Sequence, residues 1–177
     1  MTGGISVAER EELLRKCWLT HDALWLYGVV ERFGPEAANH LNKRTARAIG
    51  QAEVRRLMRL AGVSEVRSRE DYRQLFRLAE GLFVPSTSFA YARESLSDGG
   101  ERWTVQRCFA HEGLSRMGLL DRIDCAIWER VEGWLDAMGV SYEIRPPLTS
   151  CYRLLGQECQ RSIIVEVGAG AGGGEPC

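Results

Sequence analysis

The chain has 177 residues, 45% of them hydrophobic and 27% charged, with 23 basic against 24 acidic side chains and a net charge of −1. These are the proportions of one ordinary globular domain, and they set aside a disordered chain or a small scaffold that needs metal or disulfides merely to fold. Arginines are many but interleaved with acids, as in Glu53-Val54-Arg55-Arg56, so the pattern is that of solvated helix faces and not the basic stripe of a nucleic-acid binder.

The elements read as follows in chain order. Ser6 is a good N-cap with Glu9 placed for a capping box, and Leu13, Leu14, Cys17, Trp18, Leu24, Trp25, Val29 and Val30 recur at helical spacing, which predicts a first helix up to Phe33. Gly34-Pro35 stops it and starts a second helix over 35–60, with a stripe of Ala38, Leu41, Thr45, Ala48, Ile49, Ala52, Leu57 and Leu60. The short connection favours antiparallel packing of the two. Ser68 caps a third helix that runs to Phe83. Asp98-Gly99-Gly100 joins two strands, 89–94 and 103–109, into a hairpin. A helical piece at 113–117, a helix over 123–138 ended by Gly139, and strands at 141–145, 150–155 and 162–167 complete the order helix-helix-helix-ββ-α-βββ. This predicts an α+β fold with a mainly antiparallel sheet, one domain over 1–167 and a Gly-rich tail over 168–177.

No stretch approaches the ~18 apolar residues of a membrane span. The start lacks a basic region followed by an apolar run, so a cytoplasmic protein with reduced cysteines is expected.

Four groups of residues carry chemistry. Cys108, Cys125, Cys151 and Cys159 fall in the sheet half and would suit zinc or an iron–sulfur cluster, although no C-x-x-C pair occurs; they equally fit small apolar side chains in a core. His111 and Glu112 follow Cys108, and Cys-x-x-His would pair a thiol with a base, while a loop histidine in water fits the same spacing. His21, Asp22 and Trp25 on the first helix, with Asn42 and Glu53 on the second, would line one cavity if the helices pack antiparallel; helix–helix hydrogen bonds or an exposed face explain them as well. Glu129, Glu132 and Asp136 form an acidic row suited to a general base or to a solvent face.

The stretches CWLTHDALWLYGVVERFGPEAANHLN (17–42), RCFAHEG (107–113), DCAIWERVEGWLDAMG (124–139) and CYRLLGQEC (151–159) resemble a bacterial and archaeal family known only as a domain of unknown function. Residues 104–167 also look like the L-2-amino-thiazoline-4-carboxylic acid hydrolase-like family, whose pattern maps onto Arg107, Cys108, Cys125, Gly156 and Cys159. Where that family often has an aspartate three residues after its second cysteine, Trp128 stands here, with Glu129 one step later. The layout is also similar to the 4-vinyl reductase domain group, which is linked to small-molecule binding and to metal.

The resemblance implies a small-molecule-binding domain with hydrolase activity toward a small amide-like or thiazoline-like acid. Cys108 would be nucleophile or ligand beside Cys125 and Cys159, Arg107 would hold a substrate carboxylate, and His111 or Glu129 would be the acid/base. The alternative is a non-catalytic sensor or scaffold with a structural metal on Cys108, Cys125, Cys151 and Cys159. A partner surface on the tryptophan-bearing first helix, which needs Trp18 or Trp25 exposed, is a third reading. A small-molecule ligand is the expected partner; the oligomeric state is open, a homodimer included.

Overall fold

The computed structural model describes residues 4–147 and 151–167, so the expected Gly-rich tail at 168–177 lies outside the described residues. The chain is an α+β protein with a four-stranded antiparallel sheet. Among the described residues no helix is long and apolar enough to cross a membrane.

The helix α1 (Val7–Ala61) begins at the expected capping box, where Glu9 N–H donates to Ser6 Oγ at 3.2 Å and Ser6 N–H donates to Glu9 Oε2 at 2.9 Å. Gly34 breaks it with φ 81°, a conformation glycine adopts without strain. The break turns the chain back. The Arg130 guanidinium lies 5.1 Å from the Trp18 ring centroid and donates through Nε to Glu53 at 2.9 Å. In an unbroken helix Trp18 and Glu53 would stand roughly 50 Å apart. α1 is therefore a hairpin of two arms.

The arms are not equally buried. The second buries Ala38, Gly50, Glu53, Val54, Leu57 and Met58, whereas the first buries only Val29 and Val30. The apolar stripe expected to face a core on the first arm is exposed at Leu13, Leu14, Trp18, Leu24 and Trp25, and Leu41 and Leu60 of the second arm are exposed too. Helical spacing marks a stripe but not whether a partner reaches it.

The element that meets the second arm is α4 (Ile127–Met138), through two glycines that let backbones touch. A Cβ on Gly50 would meet the Arg130 carbonyl oxygen at 2.2 Å, and one on Gly133 would meet that of Arg47 at 2.2 Å. Arg47 then clamps the acidic row of α4. It donates to Asp136 Oδ2 at 2.7 Å and to Glu132 at 2.7 Å, and lies 3.8 Å from Glu129. The row is thus a helix–helix ion network, neither a solvent face nor a free base.

α2 (Arg69–Phe83) starts at a capping box between Ser68 and Asp71. The strands β1 (Phe89–Ser95) and β2 (Glu101–Cys108) form the expected hairpin around Gly99, φ 81°. β2 runs into α3 (Phe109–Arg116), longer than the expected 113–117. α4 starts four residues later than expected because Leu119 and Ile123 instead pack on Val29, Val30 and Ala38 at the α1 bend. β3 (Ser141–Arg145) is at the edge of the order β1-β2-β4-β3, with β4 (Cys159–Glu166) inserted beside β2.

The strand expected over 150–155 is not formed at its described residues. Cys151–Gly156 coil through turns, with Leu154 N–H donating to the Cys151 carbonyl at 3.1 Å and Gln157 N–H to that of Tyr152 at 2.9 Å; Ser150 lies outside the described residues. Local bonds satisfy this backbone, so it has no need of a ladder.

One sheet face is the core. Trp103, Val105, Ile163 and Val165 are buried on it against Phe76, Trp134 and Leu135 of the helices. The opposite face is polar, as in the 3.1 Å bond from Gln160 to Thr104.

Candidate functional site

The sulfurs that the sequence scatters are brought to one end of the sheet. Cys108 closes β2, and Cys159 opens β4 opposite Val105, three residues before Cys108. Cys125 lies just before α4, and Cys151 is on the coil before β4. Each of the four lies within electrostatic range of the other three, and all are free thiols.

Burial sets the chemistry of three of them. It pushes the Cys108 thiol up, against a smaller pull from the amides of His111 and Ala110 at the start of α3, where no full capping bond is formed. Burial also pushes Cys125 up, to about 12, with the Ile127 amide opposing. Cys159 is raised by burial and by Cys151, while Arg161 and the Trp128 indole favour its anion. These three thiols keep their protons at neutral pH, unlike reactive cysteines, whose values are lowered.

Cys151 has a different neighbour. Its sulfur lies 3.6 Å from His111 Nδ1, so a half-buried thiol and an imidazole are in contact. His111 therefore meets the cysteine 40 positions away and not, as Cys-x-x-His spacing suggested, Cys108. Helix α3 carries the ring past its own strand end.

Behind the sulfurs is an apolar cavity of about 40 Å³, lined by Phe83, Tyr91, Trp103, Val105, Phe109 and Trp128 among others. It has room for a few water-sized groups. It adjoins the thiols through Phe109, which follows Cys108, and through Trp128, whose indole faces Cys159.

The remaining expected site residues are elsewhere. Arg107 is exposed and its fork is already occupied, with Nε donating to Glu112 Oε1 at 2.9 Å and Nη2 to Oε2 at 3.3 Å, and Nη1 bonds the Thr87 carbonyl at 2.8 Å. Glu129 faces Arg47. Glu53 is 3% exposed and receives Arg130 through both fork nitrogens and the Trp134 indole at 2.8 Å, a closed structural network. His21, Asp22 and Trp25 are exposed on the first arm of α1, and Asn42 is half-buried on the second. Asp22 lies within electrostatic range of Arg130, the partner of Glu53, and none of these four residues lines the apolar cavity.

Arg161 was missed by the sequence reading. It is the largest side chain buried to 0% exposure, standing on the core face of β4 directly opposite Trp103 of β2. The signal was the alternation of β4, which puts positions 159, 161, 163 and 165 on one face; an arginine in that row is anomalous.

A soft metal would suit four thiols and an imidazole. Yet among the described residues no group of three His, Cys, Asp or Glu side chains is arranged to hold one ion. The sulfurs share a region without forming a preassembled ligand set.

Comparison of the chain with family models, with curated proteins and with solved structures returned no match.

Proposed function

We propose that the chain is a small-molecule-binding domain that hydrolyses an amide-like bond in a small acid, with Cys151 as nucleophile and His111 as its base. The observation that carries this reading is the 3.6 Å contact between Cys151 Sγ and His111 Nδ1, two residues along α3 from Phe109 of the apolar cavity. Nucleophile and base within contact are the signature of covalent acyl transfer. In the first step Nδ1 takes the thiol proton and sulfur bonds to the acyl carbon; the carbon–nitrogen bond then breaks and the imidazolium returns the proton to the leaving amine. In the second step water, deprotonated by the same imidazole, attacks the thioester. The carbon–sulfur bond breaks, and the thiol is restored with the proton the imidazole had taken.

Cys108, Cys125 and Cys159, protonated and half-buried, serve as a polarizable wall for the substrate. The resemblance to the aminothiazoline carboxylate hydrolase-like family supports a thiazoline ring or an amide as the bond attacked. Free thiols throughout the described residues fit a reducing, cytoplasmic setting.

The test is turnover of 2-amino-thiazoline-4-carboxylate and of simple N-acyl amino acids. Cys151→Ser should abolish it, and His111→Gln should lower kcat by roughly 10²–10⁴-fold. Undiminished turnover in Cys151→Ser sinks the reading.

A metal-bearing scaffold is the second reading, favoured by the gathering of four sulfurs. Metal content after purification without added metal separates the two: one equivalent per chain supports the scaffold, and none supports the enzyme.

A further inference from the structure

Among the described residues only three buried side-chain nitrogen or oxygen atoms have no hydrogen-bond partner, and all three are nitrogens of two facing residues: Nε and Nη2 of Arg161 and Nε1 of Trp103. All are donors. Buried donors are almost always paired, so three on one residue pair mark a place built for an acceptor.

The rest of the Arg161 guanidinium is engaged. Nη1 donates to the Pro146 carbonyl and to the Tyr152 hydroxyl at 3.0 Å, and the Tyr152 ring lies over its face at 4.3 Å from the centroid. What is left is the Nε/Nη2 edge, the side that presents two parallel N–H groups. The same edge takes a carboxylate in this protein repeatedly: Arg130 offers it to Glu53, Arg107 to Glu112, Arg47 to Asp136 and Arg145 to Glu143. Arg161 is buried to 0% exposure and meets no acid side chain there among the described residues. A buried charge without a partner is strongly disfavoured, and a bidentate carboxylate is its natural complement.

We propose that Arg161, with the Trp103 indole beside it, is the carboxylate anchor of the thiol-lined site, so that the ligand is a small monocarboxylic acid. The placement fits that use. Tyr152, which holds Nη1, follows Cys151 in the chain, and Arg161 is close enough to Cys159 to favour its anion. Trp103 also lines the apolar cavity, so an acid held at Arg161 has its apolar part directed along that wall. The assignment rests on the small-acid reading above and replaces Arg107 as the carboxylate partner, but it requires binding only and not turnover.

The experiment is side-chain ¹⁵N NMR of the full chain titrated with acetate and with thiazole-4-carboxylate, with thiazole-4-carboxamide as the neutral control. The Arg161 Nε–H and Trp103 Nε1–H resonances, assigned from Arg161→Met and Trp103→Phe, should shift with both acids and not with the amide. The thiazole acid should bind roughly 10- to 100-fold more tightly than its amide. Arg161→Met should erase that preference while keeping Tm unchanged or higher, and Arg107→Met should keep the preference. Arg161 resonances that ignore acetate at saturation, or a preference that survives Arg161→Met, overturn the anchor. So does a variant whose only change is Cys159 reactivity, which would make Arg161 a counter-charge for that thiol. Undiminished turnover in Cys151→Ser sinks the hydrolase chemistry alone and leaves the Arg161 anchor standing, so the two proposals fail separately.

Discussion

Two arginines, one mostly and one wholly withdrawn from solvent, divide the molecule. Arg130, at the seam between α1 and α4, spends its fork on Glu53, reaches the Phe83 carbonyl at 3.3 Å and rests beside the Trp18 and Trp134 rings. Arg161, at the thiol end of the sheet, has one of its three guanidinium nitrogens engaged and two without a partner among the described residues. The residue type is the same, but Arg130 keeps 13% of its side chain exposed and Arg161 none. A guanidinium bonded to a carboxylate holds two helices together, whereas one with two nitrogens unpartnered, opposite a tryptophan that lines the apolar cavity, has capacity to spare for a ligand. Satisfaction, more than burial, separates architecture from site in this fold.

The comparison breaks most readily at its structural side. Glu53→Ala leaves the Arg130 charge buried without a carboxylate, and urea unfolding should show a loss of about 3–5 kcal/mol; a loss under 1 kcal/mol would mean that Arg130 is not committed to architecture. Next comes Gly133→Ala, which pushes a methyl into the Arg47 carbonyl across the same seam. Calorimetry should register about 1–3 kcal/mol of destabilisation, since both sides of the clash are helix backbone and cannot rotate away.

The thiol end should be sensed by alkali. Cys108, Cys125 and Cys159 bind their protons more tightly when folded, Cys125 rising from an ordinary 9.0 to about 12. Their contribution is complete below the unfolded thiol value and is lost as pH climbs from about 9 toward 12. Unfolding midpoints measured over that range should fall, and Cys125→Ala should flatten the fall. A midpoint independent of pH would show these thiols to be open to water. The smallest effect is expected at Cys17, exposed on the outer arm: mass-spectrometric mapping should find it alkylated at neutral pH well before Cys108, Cys125 and Cys159, with stability unchanged.

Much of the local structure could be read directly. Ser6 with Glu9, Ser68, Gly34 and Asp98-Gly99 act through their nearest neighbours, and each appears where its chemistry requires. The site was legible as a composition, four cysteines and a histidine in one half, but not as a set of contacts. Cys-x-x-His spacing pointed His111 at Cys108, while the helix that follows β2 hands it to Cys151. Arg107 looked like a carboxylate holder until Glu112, five residues on, took its fork.

By itself, then, the chain of residues determined where helices begin, where the hairpin turns and that the class is α+β, because caps, turns and periodicity are short-range and act within a few residues. Which face of α1 is covered, that Glu53 and the acids of α4 are bound into a helix seam, and that Arg161 faces inward beside gathered sulfurs were decided only in three dimensions. Those outcomes depend on β4 slotting between β2 and β3 and on two glycines letting α1 and α4 touch, and burial, the quantity that sets both charge pairing and thiol protonation, does not exist until those distant pieces meet.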